Sequence, residues 1–122
     1  MEKQAFGSSQ APLSPGLKVG RTIYVSGQVP RTPEGEIVEG DVAAQTDQVL
    51  DNIEAVLEAA GATMADVVKT TVILPHVKRD FAAMNEAYAR RFPEPKPSRT
   101  TLGAELAIDI LVEIEAVAIV ED

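Results

Sequence analysis

Apolar and polar positions alternate most clearly near the end of the chain, in Asp109-Ile110-Leu111-Val112-Glu113-Ile114-Glu115-Ala116-Val117-Ala118-Ile119-Val120. A period of two with high β-branched content predicts a strand. Ile110, Val112, Ile114, Ala116, Ala118 and Val120 then form one continuous apolar face. The opposite face carries Leu111, Val117 and Ile119, with Glu113 and Glu115 at its middle. Two carboxylates on an otherwise apolar face require either water or partners there.

Upstream, the pattern resolves into further elements. Residues 17–19 and 22–26 flank the turn Gly20-Arg21 and read as a β-hairpin. Asp41 can cap a helix in which Val42, Val49, Leu50, Ile53, Val56, Leu57 and Ala60 share one face, and Gly61 stops it. A short turn of helix at 63–66 leads into a strand at 67–74, apolar on both faces and closed by Pro75. Asp80 is expected to cap a second helix with a buried stripe of Phe81, Met84, Tyr88 and Phe92, ended by Pro93. The connector spaced by Pro93, Pro95 and Pro97 leads to a strand at 98–102, and residues 7–16, rich in glycine, proline and serine, should form a draped loop. The expected order is β, β, α, β, α, β, β. This is a single α+β domain over residues 1–122, a mixed sheet with two helices packed on one face. The other face retains Leu111, Val117, Ile119 and alternate residues of 67–74, apolar area that a second copy of the chain would cover.

Composition narrows the function classes. Against 19 acidic residues stand 11 basic ones, for a net charge of −8. Nucleic acid is therefore not an expected partner unless Lys78, Arg79, Arg90 and Arg91 gather into a patch. With no cysteine, disulfides and thiol chemistry are excluded. No apolar run reaches membrane-spanning length, and the start Met1-Glu2-Lys3-Gln4 is unlike a signal peptide. A soluble, cytoplasmic protein that does not bind membranes is expected.

The inventory of reactive side chains is short. His76 is the one histidine and has no second imidazole or thiol with which to hold zinc, so no metal is expected. No glycine-rich phosphate loop precedes a helix, so no nucleotide cofactor is expected either. What remains is Arg99, on the strand after the proline connector, with Glu113 and Glu115. An arginine on a rigid strand is shaped to receive a carboxylate bidentately, and a partly desolvated glutamate can move protons or orient water. The alternative is structural: Arg99 and one glutamate neutralise each other across strands or subunits.

Several segments in order and spacing carry a resemblance. They are Tyr24-Val25-Ser26-Gly27-Gln28-Val29-Pro30, Gly35-Glu36-Ile37-Val38, the helix at 45–61, Asp66-Val67-Val68-Lys69-Thr70-Thr71-Val72, Phe81-Ala82-Ala83-Met84-Asn85-Glu86-Ala87-Tyr88, Pro97-Ser98-Arg99-Thr100 and Val112-Glu113-Ile114-Glu115-Ala116. Over nearly its whole length the chain resembles the RidA (YjgF-like) family of reactive-intermediate deaminases. The resemblance implies a chorismate-mutase-like fold and a homotrimer, sheets inward and helices outward. It also implies active sites between subunits that hydrolyse 2-imino acids or their enamine tautomers to 2-keto acids and ammonia without a cofactor. On this resemblance Arg99 is the substrate-carboxylate arginine and Glu113 positions the hydrolytic water. Gly27 and the backbone of Thr101 line the site. Many members carry a Gly-Pro-Tyr segment near the start, where this chain has Leu13 after Pro12. The loop 103–109 also lacks their frequent Leu-Pro-Lys-Asp pattern, and Thr101 stands where cysteine is common.

Overall fold

The computed structural model describes residues 1–121. Its strands are β1 (Lys3–Phe6), β2 (Gly16–Val19), β3 (Thr22–Gln28), β4 (Val67–Ile73), β5 (Ser98–Leu102) and β6 (Glu113–Ile119), and its helices are α1 (Val42–Ala59) and α2 (Val77–Ala89). One six-stranded sheet runs β1-β2-β3-β6-β4-β5. Only β4 and β5, joined through α2, pair in parallel, so the sheet is mixed. Both helices lie over one face of it, as their amphipathic patterns require.

The core is aliphatic. Ile23, Leu50, Ile53, Leu57, Val72 and Ile114 are among its fully buried members. On α1 every residue of the expected stripe is buried except Val56, which is partly so. Asp41 caps the helix, accepting from the Ala44 N–H at 3.0 Å, and Gly61 beyond its end takes φ +85°, a conformation that favours glycine. The short turn after it is a 3₁₀ helix at Met64–Asp66 with the Asp66 carboxylate accepting from the Thr63 N–H.

Four local expectations need correction. Lys3–Phe6 forms an edge strand ahead of the loop; its residues are mostly exposed, so the backbone ladder to β2, not burial, holds it. The second helix starts earlier than expected, with exposed His76 at the N-cap and Asp80 inside the first turn. Asp80 is not needed as a cap, because its carboxylate accepts from Arg79 Nε and Nη2 at 2.9 and 3.0 Å and sits favourably near the helix N-terminus. Phe81 is 42% exposed and outside the buried stripe, while Met84, Tyr88 and Phe92 are buried. The last strand spans only Glu113–Ile119, because the Leu111 N–H donates to Gln45 Oε1 at 2.8 Å and the Ile110 N–H to the Ile108 carbonyl, instead of to a neighbouring strand. The alternation of 109–120 still holds: Ile110, Val112, Ile114, Ala116 and Ala118 are buried.

Opposite the helices the sheet is bare in the single chain. Tyr24 is 50% and Ile119 44% exposed on that face.

Candidate active site

Glu113 opens β6 and pairs with Ile73 of β4 on the helix-free face. It is half-buried beside an open cleft of about 740 Å³, whose walls include Leu13, Gly27, Asn52 and Ile108. Burial pushes its carboxyl above the usual glutamate range, and the like charge of Glu115 pushes in the same direction. Gly27 makes room for it. A β-carbon at position 27 would collide with Glu113 Oε2 and lie 3.0 Å from its carboxyl carbon. The irregular pairing of β3 with β6 between Val25 and Gln28 brings this glycine to the carboxylate.

Arg99 belongs to the other face. Its register partner is Thr70, which pairs with Ala116, which pairs with Val25, and all three partners are buried beneath the helices. The half-buried guanidinium lies 4.9 Å from the Tyr88 ring centre and 5.7 Å from that of Phe81, both on α2. Among the described residues it has neither an ion pair nor a hydrogen bond. The Tyr88 hydroxyl shares a buried 2.7 Å hydrogen bond with Thr70 Oγ1. Burial raises the Tyr88 phenol pKa, an effect that the Thr70 bond and the positive charge of Arg99 partly offset. Thr101, paired with Val72, shares the face of Arg99.

The four residues singled out from the sequence thus divide into two pairs. Gly27 and Glu113 meet at the cleft; Arg99 and Thr101 stand behind the sheet from it. The neutralising pair of Arg99 with a glutamate does not form within the chain, and Glu115 is exposed. Phe81, Tyr88 and Thr70 as the surroundings of Arg99 went unread in the sequence, since helical spacing assigns aromatic residues equally well to a core stripe. The one signal available was the parallel register that puts Thr70 beside Arg99.

Elsewhere, Arg79 pairs with Asp80, Arg90 reaches Glu86, and Arg91 bridges from the end of α2 to Asp51 at 2.7 Å and Glu54 at 3.5 Å. These arginines are spread over acidic partners, not gathered into a patch. Among the described residues no group of three or more His, Cys, Asp and Glu side chains could hold a metal ion, and no helix is long and apolar enough to cross a membrane.

A family model described as endoribonuclease L-PSP matches residues 3–120. The chain belongs to that family, the YjgF/RidA family. Relatives named within it differ in how specific their names are. A RutC family protein of Pyrococcus abyssi is 50% identical over 109 residues, covering 88% of this chain and 85% of its own. The 2-iminobutanoate/2-iminopropanoate deaminase of Escherichia coli is 42% identical over 112 residues, covering 88% and 87%. The crystal structure of RidA from an Antarctic Psychrobacter superposes with a TM-score of 0.90 at 37% identity, covering 96% of this chain and 99% of that one. The α+β architecture expected from the resemblance, two helices on a mixed sheet, is therefore that of the RidA family.

Proposed function

We propose that this RidA-family protein hydrolyses 2-imino acids, or their enamine tautomers, to 2-keto acids and ammonia, in sites completed by two subunits of a homotrimer. The observation that carries the reading is the state of Glu113, a carboxylate of raised pKa at the wall of a cleft, with Gly27 kept small beside it. Such a group holds its proton more readily than an ordinary glutamate and is suited to exchanging it with a water in the cleft. The name of the Escherichia coli relative supports the choice of substrate.

Arg99 supplies the complementary half. Its fork has no internal acid to occupy it and matches the carboxylate that every 2-imino acid carries. Because Arg99 and Glu113 lie on opposite faces of one sheet, a shared site needs Arg99 from one chain and Glu113 from another. The bare apolar sheet face supports such an assembly.

In the proposed reaction, Arg99 anchors the carboxylate and Glu113 removes a proton from water as its oxygen bonds to the C=N carbon. The resulting carbinolamine carries hydroxyl and amine on one carbon. Protonated Glu113 returns the proton to nitrogen as this neutral species forms; Glu113 then carries the hydroxyl proton to the same nitrogen, and the C–N bond breaks as the C=O bond forms, so that ammonia departs and Glu113 is again ionised. Positioning and one proton relay suffice for a bond of this lability.

A second reading, a protein adapted to another imine-like or aminomuconate-like substrate or one that only binds keto acids, is favoured by Leu13, which lines the cleft where many relatives have tyrosine. The ribonuclease named in the family model is disfavoured by the net charge of −8 and by the lone, exposed His76.

The deciding assay generates 2-iminopropanoate in situ with an amino-acid oxidase and follows its loss. Acceleration is expected, and Arg99→Lys, which keeps the charge but loses the fork, should lower the rate about 100-fold. Unchanged activity in that variant would remove carboxylate anchoring from the mechanism. Binding of 2-oxobutanoate without turnover would favour the second reading.

A further inference from the structure

Arg99 is surrounded in a way that its role as an anchor does not by itself require. Its side chain is long, and its guanidinium has no acidic or hydrogen-bonding partner among the described residues. It nevertheless lies against two aromatic rings at 4.9 and 5.7 Å. We propose that Tyr88 and Phe81 are positioning residues for Arg99: they form an aromatic platform that fixes the guanidinium without neutralising it, leaving its N–H edge for a carboxylate. The proposal rests on the reading of Arg99 as a carboxylate anchor.

The physical basis is a difference between two ways to hold an arginine. An aspartate or glutamate would hold it through its N–H groups, the same groups that a substrate carboxylate needs, and would cancel the charge that attracts it. An aromatic ring attracts the cation through the quadrupole of its face and accepts none of the in-plane donors. The platform is itself fixed. The Tyr88 hydroxyl is bound to Thr70 Oγ1 at 2.7 Å, its ring lies 4.7 Å from the Phe92 ring, and Thr70 is the residue that pairs with Arg99 across β4 and β5. Strand register and ring position are thereby tied in one closed circuit of Arg99, Tyr88 and Thr70. Phe81 completes it from two turns earlier on α2, which explains why a phenylalanine stays 42% exposed there.

The test measures 2-oxobutanoate binding by calorimetry, alongside 2-iminopropanoate turnover, for the wild-type protein, Phe81→Leu, Tyr88→Leu, Tyr88→Phe and the same Phe81 change in Arg99→Lys. Phe81→Leu and Tyr88→Leu should each weaken binding about three- to tenfold and raise KM more than they lower kcat. Tyr88→Phe should recover most of what Tyr88→Leu loses, because the ring returns. In the Arg99→Lys background Phe81→Leu should cost nothing further, since its effect passes through the guanidinium. Phe81 is exposed, so its replacement leaves the core intact and decides the question even if Tyr88→Leu does not fold. Equal binding by wild type and Phe81→Leu, or full additivity with Arg99→Lys, would overturn the platform while leaving the deaminase reading in place. A wild-type protein that neither binds nor turns over would instead overturn the anchor, and the platform with it.

Discussion

The two faces of the sheet are built from the same alternating strands and hold their charged residues in opposite ways. On the helix-covered face, Arg99 is held by aromatic rings and a buried hydrogen-bonded pair, above a core of Ile53, Leu57 and Ile114 that is closed within the chain. On the bare face, Glu113 sits at a cleft with a glycine behind it, among side chains such as Tyr24 and Ile119 that remain half exposed. One half of the candidate chemistry is thus finished by folding. The other half stays open to solvent in the single chain, and the contrast can be tested from both sides.

The largest effect should come at the carboxylate. Replacing Glu113 by Gln keeps its size and removes its proton chemistry, so the rate of imine loss should fall about 100- to 10,000-fold, while Glu115→Gln, on an exposed side chain, should change it little. A reversed order would place the active carboxylate one pleat further along the strand.

Mixing offers a direct test of the division between faces. Arg99→Ala and Glu113→Gln chains, each inactive alone, should regain about a quarter of wild-type sites when unfolded and refolded together, because random assembly joins an intact Arg99 to an intact Glu113 in that share of interfaces. No recovery would mean that one chain supplies both groups, contrary to the arrangement of β4, β5 and β6.

Stability should separate the faces as well. Ile53→Ala removes a fully buried side chain and should cost about 2–5 kcal/mol at any protein concentration. Ile119→Ser would cost no more than about 0.5 kcal/mol if its face meets water, and more, with a melting temperature that depends on concentration, if sister subunits cover it. Thermal melts over a hundredfold range of concentration distinguish these.

The smallest effect is in pH. Glu113 has a folded-state pKa above the ordinary 4.5, so the unfolded chain releases this proton first and the folded state binds more protons between the two values. Its contribution to stability therefore falls as pH rises from the ordinary value through the raised one, and Glu113→Gln should flatten that part of the profile. The acid limb of kcat/KM should likewise rise with a midpoint above 4.5, since the ionised form is the base. A midpoint at or below the ordinary value would detach the limb from Glu113.

Much of this protein was legible in its sequence, because periodicity is a local property of the chain. The apolar faces of α1 and β6, the Asp41 cap, the stop at Gly61 and the bare sheet face all follow from spacing and residue type. The motifs shared with the RidA family brought out Arg99 and Glu113 from a chain poor in reactive groups. Some boundaries did not follow. Asp80 has the chemistry of a cap but finds Arg79 instead, and Leu111 has the composition of a strand but gives its N–H to Gln45, 66 residues away in sequence. Which face each charged residue occupies is also a matter of register, which two strands decide together. Only the pairing of Arg99 with Thr70 and of Glu113 with Ile73 placed them on opposite sides of the sheet. The sequence by itself determined which residues are fit for the chemistry; the tertiary structure decided that one chain cannot bring them together, because a β-sheet keeps its two faces apart.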